Sequence, residues 1–215
     1  MRTTTLLSLM LVFPGLSAAD GTVRLTTELP YVDVLHQGKP VRIERNPDPD
    51  NMLEPDYTLT SRPCPPFCIQ PIQAAPGVET LGELELIDYL RRMSAGDSGV
   101  LVVDSREYEW PLRSGIIPGA LVIPWVDLLP AKTDPQRIAE TLEDRFGAAR
   151  EGPLWNFQNA RTLVLYCNGS WCGQSPTAIK ALIALGYPAA KLKWYRDGIQ
   201  GWKALGLTTV PYTRP

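Results

Sequence analysis

The second half of the chain is built from short apolar runs separated by stretches of helical period. Val100-Leu-Val-Val103, Ala120-Leu-Val-Ile123, Thr162-Leu-Val-Leu-Tyr166 and Leu192 to Tyr195 are mostly apolar stretches with no polar alternation. Such runs are expected of strands buried on both faces. Ahead of the first run, Leu84, Ile87, Leu90 and Met93 recur at the spacing of one helix face, ending near Gly96. Thr80-Leu81-Gly82-Glu83 reads as a capping box for that helix, with Glu83 reaching back to the cap amide. A helix is predicted over Gln136 to Phe146. Another is predicted over Pro176 to Leu185, with Ser175 as its cap and Pro176 at its first position. A short helix over Gly198 to Leu205 closes the series. Strands alternating with helices predict an α/β fold, a parallel sheet with helices on both faces.

The pattern before residue 79 is different. Val32 to Leu35 and Val41 to Arg45 alternate around His36-Gln37-Gly38-Lys39, which predicts a β-hairpin. Asn46-Pro-Asp-Pro-Asp50 breaks it. Arg62-Pro-Cys-Pro-Pro-Phe-Cys68 excludes regular helix and central strand, because proline fixes φ and lacks a donor. At the N-terminus, Met1-Arg2, the apolar run Leu6 to Leu16 and the small residues Ser17-Ala18-Ala19 read as a signal peptide cut after Ala19. The apolar run is too short for a transmembrane anchor. The expected organisation is a signal peptide over 1–19, a proline-rich, irregular, β-containing segment over 20–78, and a folded domain over 79–210. The mature protein is expected in the periplasm or otherwise outside the cytosol, with no membrane anchor after cleavage.

Composition narrows the chemistry. The 215 residues carry 21 Lys+Arg against 23 Asp+Glu, so no basic excess points to nucleic acid as a partner. A single histidine, His36, excludes a metal site built on several imidazoles. It is expected at an exposed hairpin turn. Reactivity therefore rests on four cysteines in two close pairs, Cys64/Cys68 with three residues between and Cys167/Cys172 with four. In an oxidising compartment a close pair defaults to a disulfide. For Cys64/Cys68, flanked by prolines, a local disulfide staple is the expected state, against a redox pair or sulfur acceptor. Zinc bound by both pairs is disfavoured by their spacing, and neither a metal nor a cofactor is expected.

Cys167 has the more telling position. It directly follows the run Thr162 to Tyr166, and in open α/β sheets ligands bind at the carboxyl ends of strands. The loop Asn168, Gly169, Ser170, Trp171, Cys172, Gly173, Gln174 then feeds the helix start at Ser175. Loop amides and a helix N-terminus stabilise an anion, so a cysteine there is expected to be a thiolate nucleophile. A buried inert cysteine or a Cys167–Cys172 disulfide is the competing reading.

Residues from about 79 to 210 resemble the rhodanese-like domain, the sulfurtransferase fold. The resemblance rests on Val103-Asp-Ser-Arg-Glu107, on Gly115-Ile-Ile-Pro-Gly-Ala120 with Ile123-Pro124, and on Leu165-Tyr-Cys167. It continues through Ala178 to Leu182, Gly186-Tyr187, Asp197-Gly198 and Trp202. It implies a persulfide on Cys167 cradled by the amides of the following loop, with Asp104 and Arg106 as a structural pair beside it. The loop Cys-Asn-Gly-Ser-Trp-Cys also resembles an exported subgroup of the family, from which no function is carried over. The chain departs from the family pattern at Ile116, where His is usual, and at Asp197, where a glycine pair is usual. Its active loop is long, and Gln174 replaces the usual Arg or Lys; no Lys or Arg lies between Arg161 and Lys180. A dianion is best held by a cation as well as amides, so weak thiosulfate transfer is expected. The leading expectation is an exported sulfurtransferase or persulfide carrier with Cys167 as nucleophile, served by a small sulfur donor or a thiol partner protein. Cys172 offers an alternative, a thiol–disulfide relay with Cys167. A non-catalytic binding module is the third reading.

Overall fold

The computed structural model describes residues 23–214. The expected signal peptide and its expected cleavage site lie outside the described residues. The chain opens with an antiparallel hairpin of β1 (Val32–His36) and β2 (Lys39–Ile43), then a single helical turn, α1 (Pro55–Thr58). There follow β3 (Glu79–Leu81), α2 (Glu83–Ser94), β4 (Val100–Asp104), α3 (Glu109–Ser114) and β5 (Leu121–Val122). A 3-10 turn over Trp125–Leu128 leads to α4 (Pro135–Glu140), which runs on as a π turn over Thr141–Arg145. A small hairpin, β6 (Ala149–Glu151) and β7 (Leu154–Asn156), precedes β8 (Thr162–Tyr166), α5 (Gln174–Ala184), β9 (Leu192–Tyr195) and α6 (Gly198–Ala204). The central sheet has the order β3-β9-β8-β4-β5 and every pairing in it is parallel.

The missing polar alternation in the strands has a direct cause. Along β8, Leu163 and Leu165 join one core with Val103, Trp194 and the α5 residues Ile179 and Leu182. Val164 and Tyr166 join a second core on the opposite face with Leu86, Ile87 and Leu90 of α2 and Trp202 of α6. Both faces are covered, so both sets of side chains are apolar. Burial of Leu86, Ile87 and Leu90 contributes about 1.5–3 kcal/mol each relative to exposure.

Several local expectations are corrected. Thr80 lies in β3 rather than at a helix cap. The cap is Gly82, whose amide donates to Glu85 Oε2 at 3.1 Å, so Glu85, not Glu83, reaches back. Leu84 is exposed, because the buried face of α2 is centred on Leu86, Ile87 and Leu90. The stretch 120–123 forms only a two-residue edge strand before Pro124 ends it. Short β3, which pairs with β9, carries too little pattern to be read in advance.

The N-terminal segment is not an appendage. Val32, Val34, Ile43 and Tyr57 belong to the second core. The backbone of residues 44–46 bonds to residues 206–208, with Asn46 N donating to Gly206 O at 2.7 Å and Thr208 N to Glu44 O at 3.1 Å. His36 is part-buried rather than free at a turn: its Nδ1 accepts from Gly119 N at 3.2 Å, and burial lowers its pKa.

Candidate active site

Cys167 is the first residue past β8, and the loop 168–173 returns over it before α5 begins. The helix cap is Gly173 rather than Ser175, because the helix takes in Gln174. Ser175 is thereby turned inward. Its hydroxyl is fully buried and has no hydrogen-bond partner, and it adjoins the Cys167 sulfur, whose pKa it lowers. Burial opposes a thiolate at Cys167. The Cys172 thiol, the Ser175 hydroxyl and the amides of Ser175 and Asn168 outweigh it together, and the Cys167 pKa falls below that of an ordinary thiol. Burial and then the neighbouring Cys167 sulfur push the Cys172 thiol well up. One member of this buried pair is thus favoured as thiolate and the other as thiol. Both are free; Cys167 Sγ lies 3.3 Å from the Cys172 carbonyl oxygen, and Cys172 Sγ lies 3.7 Å from Gln174 Oε1.

The loop is held from beneath by α6. Ile199 N donates to Cys167 O at 2.9 Å and Gln200 N to Asn168 O at 3.0 Å. Gly198 makes this approach possible: it has φ +57°, and a Cβ there would stand 2.3 Å from Cys167 O. Cys172 N also donates to Gly169 O at 2.9 Å, closing the loop on itself.

From the other side the loop is held by residues that no sequence signal had connected to it. Tyr57 Oη donates to Asn168 Oδ1 at 3.2 Å, and Gln200 Nε2 donates to Tyr57 O at 2.7 Å. Gln70 N donates to Ser170 O at 2.9 Å. Trp171 Nε1 donates to Gln200 Oε1 at 2.7 Å. The Trp171 ring carries the Arg62 guanidinium 3.7 Å from its centroid and meets Phe67 edge-on at 5.4 Å. Asp104 and Arg106 form a fully buried ion pair, with Arg106 Nη2 to Asp104 Oδ2 at 2.6 Å. Arg106 Nη1 also donates to Ser114 Oγ at 2.9 Å and to Tyr57 Oη at 3.2 Å. Burial opposes the Arg106 charge, but Asp104 outweighs it and raises the pKa further. This network ties β4 to Tyr57 and through it to the active loop.

Phe67 stands in the turn that pairs Cys64 with Cys68, whose Cα atoms are 4.6 Å apart. It forms one wall of a cleft of about 400 Å³ whose other walls include Trp110 and Trp125. Cys172 and Gln174 border this cleft, whereas Cys167 lies behind them. Among the described residues no three His, Cys, Asp or Glu gather as a metal site would need, and no helix is long and apolar enough to cross a membrane.

The chain matches the rhodanese-like domain family over residues 86–205, more than half its length, and belongs to that family. It is 31% identical over 120 residues to an HTH-type transcriptional regulator of Mycobacterium tuberculosis. That match covers 56% of this chain and 41% of the regulator, so the chain spans about two-fifths of that relative. A solved structure from Rhodopseudomonas palustris, described as a protein of unknown function and possible tyrosine phosphatase, is 24% identical over 64% of this chain and 88% of that one, with a TM-score of 0.41. A thiosulfate sulfurtransferase from Pseudomonas aeruginosa is 17% identical over 66% of this chain and 22% of that one, with a TM-score of 0.42.

Proposed function

We propose that this protein is an exported sulfurtransferase or persulfide carrier in which Cys167 accepts and releases a sulfane sulfur. The observation that carries this reading is the burial of the Cys167 sulfur at the end of β8 against the loop 168–173 and the start of α5, where the Asn168 and Ser175 amides and the unpartnered Ser175 hydroxyl lower its pKa. An anion is stabilised there without a cation, which suits a thiolate before the reaction and a persulfide after it. Asp104 and Arg106 act as scaffold, and the loop 168–174 acts as cradle. Export rests on the signal-like residues 1–19. In the exported protein the Cys64–Cys68 pair is a disulfide that shapes the wall of the cleft.

The test is sulfur loading. Reduced protein is incubated with sulfane-sulfur donors, digested, and each cysteine peptide is weighed. One added sulfur atom on the Cys167 peptide, absent in Cys167→Ser, is the expected result. If Cys167 stays unmodified with every donor, the reading fails.

A second reading is favoured by one observation, the Cys172 thiol bordering the cleft next to Cys167. In a thiol–disulfide relay the pair would cycle through a Cys167–Cys172 bond. Cys172→Ser separates the two: sulfur loading of Cys167 survives if the protein is a transferase, and disulfide exchange is lost if it is a relay. Export is checked by sequencing the N-terminus of protein from its native host; a start at Asp20 is expected, and a start at Met1 would overturn it.

A further inference from the structure

We propose that the species exchanging sulfur with Cys167 is an organic thiol or its persulfide with an apolar body that carries no carboxylate or other fixed negative charge, entering past Cys172 between Phe67 and the Trp110 and Trp125 rings. This rests on the sulfurtransferase reading and names its substrate class. The cleft is walled by Pro66, Phe67, Trp110 and Trp125, and among the described residues bordering it Glu107 is the charged one. Glu107 is fixed there by Trp125 Nε1, which donates to its Oε1 at 3.0 Å.

Among the described residues no Lys or Arg borders the cleft, and the nearest cations mostly have partners of their own. Arg106 is consumed by Asp104. Arg196 donates to the carbonyls of Gln70 and Pro71 at 2.9 and 3.1 Å. Arg62 does not border the cleft; it lies on the Trp171 ring and donates to Asp56 O, while its Nε has no hydrogen-bond partner. Arg113 pairs with Asp56, and Lys132 sits over the Trp125 ring. A thiosulfate ion would bring two negative charges into an aromatic cleft beside a carboxylate, and its leaving sulfite would keep them. Desolvated charge without a partner is costly, and like charges brought together discriminate strongly against a ligand.

An organic persulfide of this class has a single acidic proton on its outer sulfur and no fixed charge, and it reacts in its protonated form. The Cys167 thiolate attacks the outer sulfur of R–S–SH, the donor S–S bond breaks, and Cys167–S–SH forms. The leaving RS⁻ takes the proton of the Cys172 thiol and departs as neutral RSH. The new persulfide then returns its proton to Cys172. The sulfane sulfur moves with no net oxidation, and no charge is stranded in the cleft. Cys172 is suited to this step because it stands between the cleft and Cys167 and is held as a thiol.

The test compares initial rates of Cys167 loading at equal concentration for thiosulfate, benzyl hydrodisulfide, and the persulfides of N-acetyl-Phe-Cys-amide and N-acetyl-Glu-Cys-amide. Benzyl hydrodisulfide is expected to load at least about tenfold faster than thiosulfate, the scale on which an apolar pocket discriminates. The Phe-Cys persulfide should likewise outrun the Glu-Cys one. Glu107→Gln and Gln174→Arg should each raise the thiosulfate rate relative to the benzyl rate, while Phe67→Ala should lower the benzyl rate relative to the thiosulfate rate. A faster Phe-Cys persulfide than benzyl hydrodisulfide assigns the donor to a polypeptide cysteine; the reverse assigns it to a small thiol. Equal or faster loading by thiosulfate, or equal rates for the two peptides, would overturn this inference and leave Cys167 as the sulfur carrier. No loading by any donor would overturn both.

Discussion

Cys64 and Cys68 stand on a proline turn with Cys64 exposed, while Cys167 and Cys172 stand behind a folded loop with almost no exposure. The two regions touch: Phe67 packs on Trp171, and Gln70 N bonds to Ser170 O. Their spacings differ by one residue, yet the first pair is joined and the second is a thiol beside a sulfur favoured as thiolate. Spacing therefore does not set the chemistry of a cysteine pair. The number of donors aimed at each sulfur does, together with the water kept from it. The outer pair shapes a wall, and the inner pair is where sulfur chemistry is possible.

The sharpest way to break this division of labour is to remove a sulfur from each region. Cys167→Ser should reduce sulfur transfer by about a thousandfold or more, as loss of a covalent nucleophile does. Steady-state sulfur transfer assays read it directly, and retention of activity would move the chemistry away from the inner pair.

The scaffold between the regions gives the next effect. Arg106→Met leaves Asp104 buried and unpaired, and should destabilise the fold by about 3–5 kcal/mol in urea unfolding. A cost below about 1 kcal/mol would show that the pair is dispensable, since surface-like pairs contribute on that scale. Tyr57→Phe removes the hydroxyl shared by Arg106, Ser114 and Asn168. Leaving buried polar groups unsatisfied should cost about 1–3 kcal/mol and slow Cys167 alkylation. If stability falls and alkylation does not change, Tyr57 supports the core but not the loop.

Opening the outer pair should matter less. Cys64→Ser with Cys68→Ser removes a closure over very few residues, for which the entropic gain is at most about 2 kcal/mol. Thermal unfolding should shift modestly, and Cys167 should still load sulfur. Loss of loading would mean that the outer pair takes part in the chemistry.

The smallest effect concerns the pH profile of the inner pair. The Cys167 pKa lies below that of an ordinary thiol, so its alkylation should reach its plateau at lower pH than that of a free cysteine peptide. Ser175→Ala removes one donor to the thiolate, and its midpoint should move upward, toward the ordinary thiol value. An unchanged midpoint would show that the amides of Asn168 and Ser175 carry the stabilisation alone.

Part of this was legible along the chain because it depends on near neighbours. The unbroken apolar runs at 100–104 and 162–166 could only be strands covered on both faces, and the position of Cys167 after one of them followed at once. The hairpin around Gln37-Gly38 was equally local. Helix starts were harder: Gly82 and Gly173 cap helices where Thr80 and Ser175 had the better cap chemistry, because β3 pairing claims Thr80 and the packing of the active loop claims Ser175. Tyr57, Arg62, Phe67 and Gln70 were beyond reach, since their partners lie about a hundred residues away and no spacing rule connects them. The sequence by itself determined the α/β body, its family pattern and the nucleophile's place at a strand end, all set by backbone propensity and burial over a few residues. Only the tertiary structure decided that the proline-rich segment closes over the active loop, that no cation lines the cleft beside it, and that Cys172 borders an aromatic cleft, because these depend on packing between distant parts of the chain.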